Sequence, residues 1–426
     1  MRRPENMVHH TIDTSTANAS RASSKIRPMT KRLPRQLVDR AILGITGLAV
    51  ALALVACASP SLPTATTSPL SAGVAGAPPA TGFAPVPPAP VAGRGRWVPT
   101  EWAELPGFAQ DDLFEAWNAW TKSCERPGPA FAALCGDVRR LSIGTSDEQR
   151  AWMMAKLQPY RVESADGNPE GLLTAYYEPL VPASRLQAPG FGVPLYAAPA
   201  GLGQRKPWFT RQQIDTLPEA RAALQGRALA WLADPVEAMV LHIQGSGRIR
   251  IAEPDGSVRL VRLAYAGTND QPYRSIGSWL LQNGLVRDAT WPGIRAWLAQ
   301  NPQRVNELMW TNPRYVFFRE EPLDALDASF GPRGAQGVAL TPGRSIAVDR
   351  GSIPYGTPVW LASPGPTAAL QRLVMAQDTG SAIVGAVRAD FFTGWGADAG
   401  ETAGRLKQSL RLWALWPRGL PGAVPQ

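Results

Sequence analysis

Asp378 and Asp390 stand twelve residues apart in "QDTGSAIVGAVRADFF", among small residues and beside Phe391 and Phe392. Carboxylates near aromatic rings are the equipment of glycan cleavage: an acid protonates the departing oxygen, rings stack on sugars, and amides bind hydroxyls. Other chemistries lack their parts. The histidines are His9, His10 and His242, and neither an HExxH nor a paired CxxC pattern is present, so the sequence predicts no metal site and no cofactor. There is no G-x-S-x-G elbow and no P-loop, and "GSGRIR" lacks the third glycine of a dinucleotide loop. His242, in "MVLHIQ", reads as a packed residue within a strand. An aspartate beside a glycine is more often a turn residue than a catalyst. The pair therefore permits glycan chemistry without requiring it.

Positioning these aspartates falls to a chain of 426 residues, long enough for two domains. The first helical pattern sets Leu113, Trp117 and Trp120 at 3.6-residue spacing, and "SDEQRAWMMAKL" offers Ser146 as the cap of a second. Strand-like runs follow in "GLLTAYYEPLV" and in "EAMVLHIQGSGRIRIAEPDGSVRLVRL", where Pro254-Asp255-Gly256 punctuates a hairpin. "YRSIGSWLLQNG" and "WPGIRAWLAQN" read as short helices, and "RYVFF", "RSIAVD", "GTPVWLA" and "QRLVMAQD" as strands. Asp398 and Glu401 have capping-box spacing ahead of a tail helix whose core would include Trp413 and Trp416. The fold class expected is mainly β with peripheral helices.

The formal charge of +9 is concentrated at the start. Residues 1–56 carry nine Lys/Arg and three Asp/Glu, leaving 34 basic and 31 acidic residues beyond them. With no basic block in the remainder, a nucleic-acid partner is not expected. The apolar run 41–56 spans sixteen residues, short of the roughly 20 of a membrane-crossing helix. It ends in Leu54-Val55-Ala56-Cys57, which resembles a bacterial lipobox, so 1–56 reads as a lipoprotein signal peptide with Cys57 as the lipidated residue. Met29 opens a leader of ordinary length and is the candidate true start. Ala58 after the cysteine resembles outer-membrane sorting, placing the chain on the periplasmic face of the outer membrane of a Gram-negative cell. Residues 57–94, rich in Pro and Ala and nearly uncharged, read as a disordered tether. Export to an oxidising compartment favours a disulfide between Cys124 and Cys135, eleven apart, over two buried thiols.

Six blocks occur in order: "LLTAYYEP", "LHIQGSGRI", "YAGTNDQPYRSIG", "NPRYVFF", "SIAVDRGSIPYGTPVWL" and "AQDTGSAIVGAVRADFFTGWG". Together they resemble the membrane-bound lytic murein transglycosylase A family with its C-terminal three-aspartate domain, over roughly residues 97–418. The resemblance implies a double-psi β-barrel built from 95–199 and 312–420, an inserted smaller β-rich domain at 200–311, and a groove between them. It implies non-hydrolytic cleavage of the MurNAc-β-1,4-GlcNAc bond of peptidoglycan to give 1,6-anhydroMurNAc ends. It maps the single acid and base onto Asp390, with Asp378 in support; Asp349 reads as structural, either anchoring a barrel turn or pairing with Arg350 or Arg388. Groove residues implied are Thr174, Tyr176, Tyr177, Gln244, Gly245, Ser246, Tyr273, Ser275 and Trp395. Bland alternatives stand beside several: a glycine-requiring turn at 244–246, a helix cap at Ser275, and packing for one of the tyrosines. Ser381 and Ala175 replace glycines common in the family. Rival functions are a non-catalytic murein-binding protein and a hydrolase that uses water.

Overall fold

The computed structural model describes residues 95–324 and 327–420. Cys57, its leader and the 57–94 segment lie outside the described residues. Fourteen strands are present among those described: β1 (Gly95–Pro99), β2 (Leu157–Ser164), β3 (Gly171–Glu178), β4 (Leu180–Ser184), β5 (Val193–Tyr196), β6 (Ala228–Leu232), β7 (Gly247–Ala252), β8 (Val258–Thr268), β9 (Val316–Pro322), β10 (Ser345–Val348), β11 (Pro358–Ser363), β12 (Leu370–Asp378), β13 (Arg388–Trp395) and β14 (Lys407–Pro417).

One sheet runs β1-β2-β14-β11-β12-β10-β13-β3, and β3 pairs again with β14. The six strands from β14 to β3 thus close into a barrel of antiparallel pairs with two parallel ones, β10–β12 and β3–β13. Closure depends on the length of β14: residues 407–410 pair with β3, 411–414 with β11 and 413–417 with β2. Alternation supplies the filling. Leu173, Ile346, Val348, Val374, Ala376, Ala389, Phe391 and Leu410 point inward, and burial of each Leu, Ile, Val or Phe among them contributes about 1.5–3 kcal/mol. On the outside, Trp360, Leu373, Met375 and Trp413 are covered by the helix Phe114–Ser123 through Trp117 and Trp120. A disulfide joins Cys124, just after that helix, to Cys135.

The second sheet runs β5-β6-β4-β7-β8-β9. Its hairpin β7–β8 turns at Asp255-Gly256, as the sequence predicts, with Ser257 donating to the Asp255 carboxylate. The chain changes sheets at Pro179 and again between β9 and β10. Both junctions differ from the 200 and 311 expected from sequence, because 180–196 and 316–322 are strands of the second sheet. A buried ion cluster fixes both crossings. Glu178, fully buried, accepts from Arg248 at 2.7 Å and Arg262 at 2.6 Å, while the two guanidiniums also donate to Ala328 O and Phe330 O.

Four local readings change. His242 lies in a helix, Pro235–Gln244, capped by Asp234 at its start and by left-handed Gly245 at its end. The Asp-Pro start and glycine stop were legible signals that its β-prone composition masked. The cap of Ser146–Lys156 is Thr145, whose hydroxyl accepts from Glu148 N in a full capping box. The helix Gly396–Arg405 has no side-chain cap, and Glu401 instead pairs with Arg405. Trp413 and Trp416 are buried, but in strand β14 rather than a helix. "KQSLRL" alternates exposed and buried residues, the period of a strand.

Candidate active site

Four neighbouring strands, β12, β10, β13 and β3, carry the site. Their register sets Asp378 opposite Ala347, Ala347 opposite Asp390, and Asp390 opposite Thr174. Residues in one cross-strand row share a face and stand about 5 Å apart per strand, so both aspartates and Thr174 project from the same side of the barrel wall.

A β-bulge makes that row possible. Ile346 faces Ala376, yet Ala347 faces Asp378, so Gln377 is an extra residue in β12. Without it, Asp378 would share the face of Ala376, which fills the barrel interior. Bulges beside active sites re-aim a side chain in this manner. Gln377 is buried and satisfied: its Nε2 donates to Ala119 O at 2.8 Å and Ser123 Oγ at 2.9 Å, and its Oε1 accepts from Ser345 Oγ at 2.5 Å.

The two carboxylates are held differently. Asp378 accepts the Tyr176 hydroxyl on Oδ2 at 2.9 Å and the Ala335 N–H on Oδ1 at 2.9 Å. The 335 loop comes this close because Gly334 has no side chain: a Cβ there would stand 2.5 Å from Gln377 O and 3.2 Å from Asp378 Cβ. Asp390 accepts from Thr174 Oγ1 on Oδ1 at 2.5 Å, and among the described residues no hydrogen bond reaches its Oδ2. Thr174 Oγ1 in turn accepts from Arg388 Nη2 at 2.8 Å.

Burial pushes the Asp378 carboxyl up to about 6, opposed by its hydrogen bonds and reinforced by the Asp390 charge. Burial raises Asp390 as well, against the Thr174 hydrogen bond and the Arg388 charge. Both side chains stay partly open to solvent, so they are dried from the barrel side while one face remains reachable. The Tyr176 phenol is raised well above its ordinary value by burial and by Asp378, which keeps it a donor. Burial raises both carboxyls, so the direction of shift does not choose between them as proton carrier. Hydrogen bonding separates them: both oxygens of Asp378 are engaged, whereas among the described residues nothing is bonded to Oδ2 of Asp390.

The remaining candidates divide. Phe392 is fully buried, 5.3 Å from the Tyr176 ring, while Phe391 turns into the barrel core, so one phenylalanine dries the row. Tyr177 N donates to Gln244 Oε1 at 3.1 Å, tying β3 to the Pro235–Gln244 helix. Gly245 has φ of 79°, a turn that glycine adopts freely, and Ser246 is buried. Trp395 is stacked by the Arg248 guanidinium at 4.0 Å. Ser275 caps the helix Ile276–Gln282 by accepting from Ser278 N, and Tyr273 lies beside it; none of their described contacts reaches the aspartate row. Asp349 accepts from Gly351 N and Gly385 N, tying the turn after β10 to the loop before β13. His242 is packed and neutral: burial lowers its pKa, and Arg211 meets its Nδ1 at 2.7 Å.

Sequence reasoning missed Ala347, Gly334, Ala335 and the link from Arg388 to Thr174. The Arg388 link had a signal, because Arg388 and Asp390 are two apart in one strand and share a face. The Ala335 contact had none, since a backbone N–H carries no residue identity.

With the geometry established, comparison gives the chain its relatives. Residues 172–319 match the family described as "MltA specific insert domain" and residues 344–416 the "3D domain". The membrane-bound lytic murein transglycosylase A of Vibrio cholerae is 31% identical over 325 residues, covering 74% of this chain and 77% of that protein. The structure of the lytic transglycosylase LtgG of Burkholderia pseudomallei is 44% identical, with TM-score 0.53, covering 78% of this chain and 99% of that one. Escherichia coli MltA with bound chitohexaose is 25% identical, with TM-score 0.59, covering 71% of this chain and 89% of that one. The chain belongs to the membrane-bound lytic murein transglycosylase A family.

Proposed function

We propose that Asp390 is the single acid and base of a lytic transglycosylase acting on peptidoglycan glycan strands. The observation that carries this is its asymmetric setting: Oδ1 is held by Thr174 and Oδ2 is free, in a row of side chains that stays open on one face. The proton on Oδ2 passes to the glycosidic oxygen as the bond from muramyl C1 breaks, and the GlcNAc 4-hydroxyl departs. The carboxylate then takes the proton from the muramyl 6-hydroxyl while that oxygen bonds to C1, closing the 1,6-anhydro ring. Attack within one sugar has a high effective molarity, so no second carboxylate is needed to activate water. Asp378 supports the row through Tyr176 and the 335 loop. That the E. coli relative binds chitohexaose supports a glycan as the ligand.

Several finer readings belong to the same account. In this reading Tyr177, Gln244, Ser246 and Trp395 form the far wall of the glycan groove, supported by the Tyr177 N–H to Gln244 bond and by Arg248 stacked on Trp395. Tyr273 and Ser275 contribute at most a more distant subsite. The barrel domain is put at 95–178 and 345–420, with the insert at 180–322. Acylated Cys57 holds the chain on the periplasmic face of the outer membrane; no described helix is long and apolar enough to cross one.

Digestion in ¹⁸O-labelled water tests the reaction class. Intramolecular attack leaves the sugar products unlabelled. A hydrolase introduces one labelled oxygen per cleavage, and a wall-binding protein yields no products.

A further inference from the structure

The link from Arg388 to Asp390 through Thr174 has no part in the mechanism so far. Arg388 Nη2 donates to Thr174 Oγ1 at 2.8 Å, and Thr174 Oγ1 donates to Asp390 Oδ1 at 2.5 Å. Arg388 and Asp390 share one face of β13, and Thr174 sits opposite Asp390 on β3, so the three groups are set by strand register. A guanidinium can only donate. While it occupies the Thr174 oxygen, the single hydroxyl proton is directed away from it, toward Oδ1. A proton on Oδ1 would collide with that hydroxyl proton. We propose that Arg388 is a positioning residue for the acid: by locking Thr174 as a donor it confines the transferable proton to Oδ2, the oxygen left open to substrate.

Other charged groups near Asp390 do not replace this arrangement. From β12 comes Asp378, engaged with Tyr176 and Ala335. From β3 comes Tyr176 itself. From β10 comes Ala347, which does not titrate, and from β14 comes Lys407, opposite Thr174 in register. Without Arg388 the Thr174 hydroxyl is free to turn and accept a proton from Oδ1, which hides the acid on its inward side. The lost positive charge and lost donor also favour the protonated carboxyl.

The inference rests on Asp390 being the acid, and its test separates the two claims. The pH dependence of kcat/KM on soluble, uncrosslinked murein strands would be measured for the full-length protein and five variants. These are Asp390→Asn, Arg388→Gln, Arg388→Lys, Thr174→Val and Arg388→Gln/Thr174→Val. Activity needs protonated Asp390, so it falls as pH rises through that group's pKa. Arg388→Gln should lower kcat roughly tenfold and move this falling limb up by about one pH unit. Arg388→Lys, which keeps charge and donor, should restore most of both. Thr174→Val should shift the limb in the same direction, and in that background Arg388→Gln should shift it less than in wild type, leaving only the loss of the guanidinium's charge. If Arg388→Gln does not fold, Arg388→Met takes its place in the single and double variants, since it removes the charge and the donor while keeping an apolar stem. A uniform loss of rate with an unmoved limb, in Arg388→Gln or in Thr174→Val, overturns the inference. So does a full Arg388→Gln shift in the Thr174→Val background, since the arginine would then act directly. An active Asp390→Asn instead overturns the reading of the acid.

Discussion

At the scale of single residues, the site works by spacing. Ala347 separates the two aspartates across three strands, and it is almost fully buried. The Tyr176 side chain, reaching from β3 to Asp378 on β12, passes over the two strands between them. A leucine at 347 must therefore displace Tyr176 or one of the carboxylates. Ala347→Leu is expected to lower kcat/KM about a hundredfold, the scale of an ångström-sized misplacement. Steady-state kinetics beside a melting curve checks this, because a fold that melts as wild type with intact activity would remove the spacing argument. The aspartates stood out in the sequence by residue type, and the Thr174 and Tyr176 block by its resemblance to a family motif. Ala347 was not, since its contribution is the absence of atoms.

At the scale of elements, the decisive feature is one extra residue. The bulge at Gln377 moves Asp378 from the barrel interior to the face of Asp390, and three side-chain hydrogen bonds hold it. Gln377→Leu leaves buried partners unmet, at about 1–3 kcal/mol, and removes what fixes the register. The expected result is a lower melting temperature with a larger loss of turnover than the lost stability alone explains; unchanged turnover would show that the bulge persists without its glutamine. The strands β3, β10, β11 and β12 and the β7–β8 hairpin were readable from β-prone runs and turn residues, whereas β14, which closes the barrel, was expected as a helix. Register is another matter, because a slip of one residue inverts a strand's faces without altering its pattern of residues. The helix Pro235–Gln244 shows a different limit. Its Val, Ile and Met content suggested a strand, while the signals that settled it, Asp234-Pro235 and Gly245, sit at its ends.

At the scale of the whole molecule, one chain forms the barrel, leaves it through Pro179, builds the second sheet and returns before β10. The Glu178, Arg248 and Arg262 cluster meets both crossings, so the second sheet is joined to the strand that bears Thr174 and Tyr176. That cluster was hidden in sequence because its carboxylate lies on β3, about seventy residues before the β7–β8 hairpin that carries both arginines. The proposed anchor has its own test. Cys57→Ala should move the chain from the membrane to the soluble fraction while cleavage of isolated murein persists; retention on the membrane would mean that something else holds it. The central claim is that Asp390 alone transfers the proton in both steps. Its most direct test is mass spectrometry of murein digested by the full-length protein and by Asp390→Asn, which keeps the side chain's shape. The account predicts 1,6-anhydromuropeptides from the wild type and none from a variant that folds normally and still binds murein. Anhydro products from Asp390→Asn at wild-type levels would contradict it.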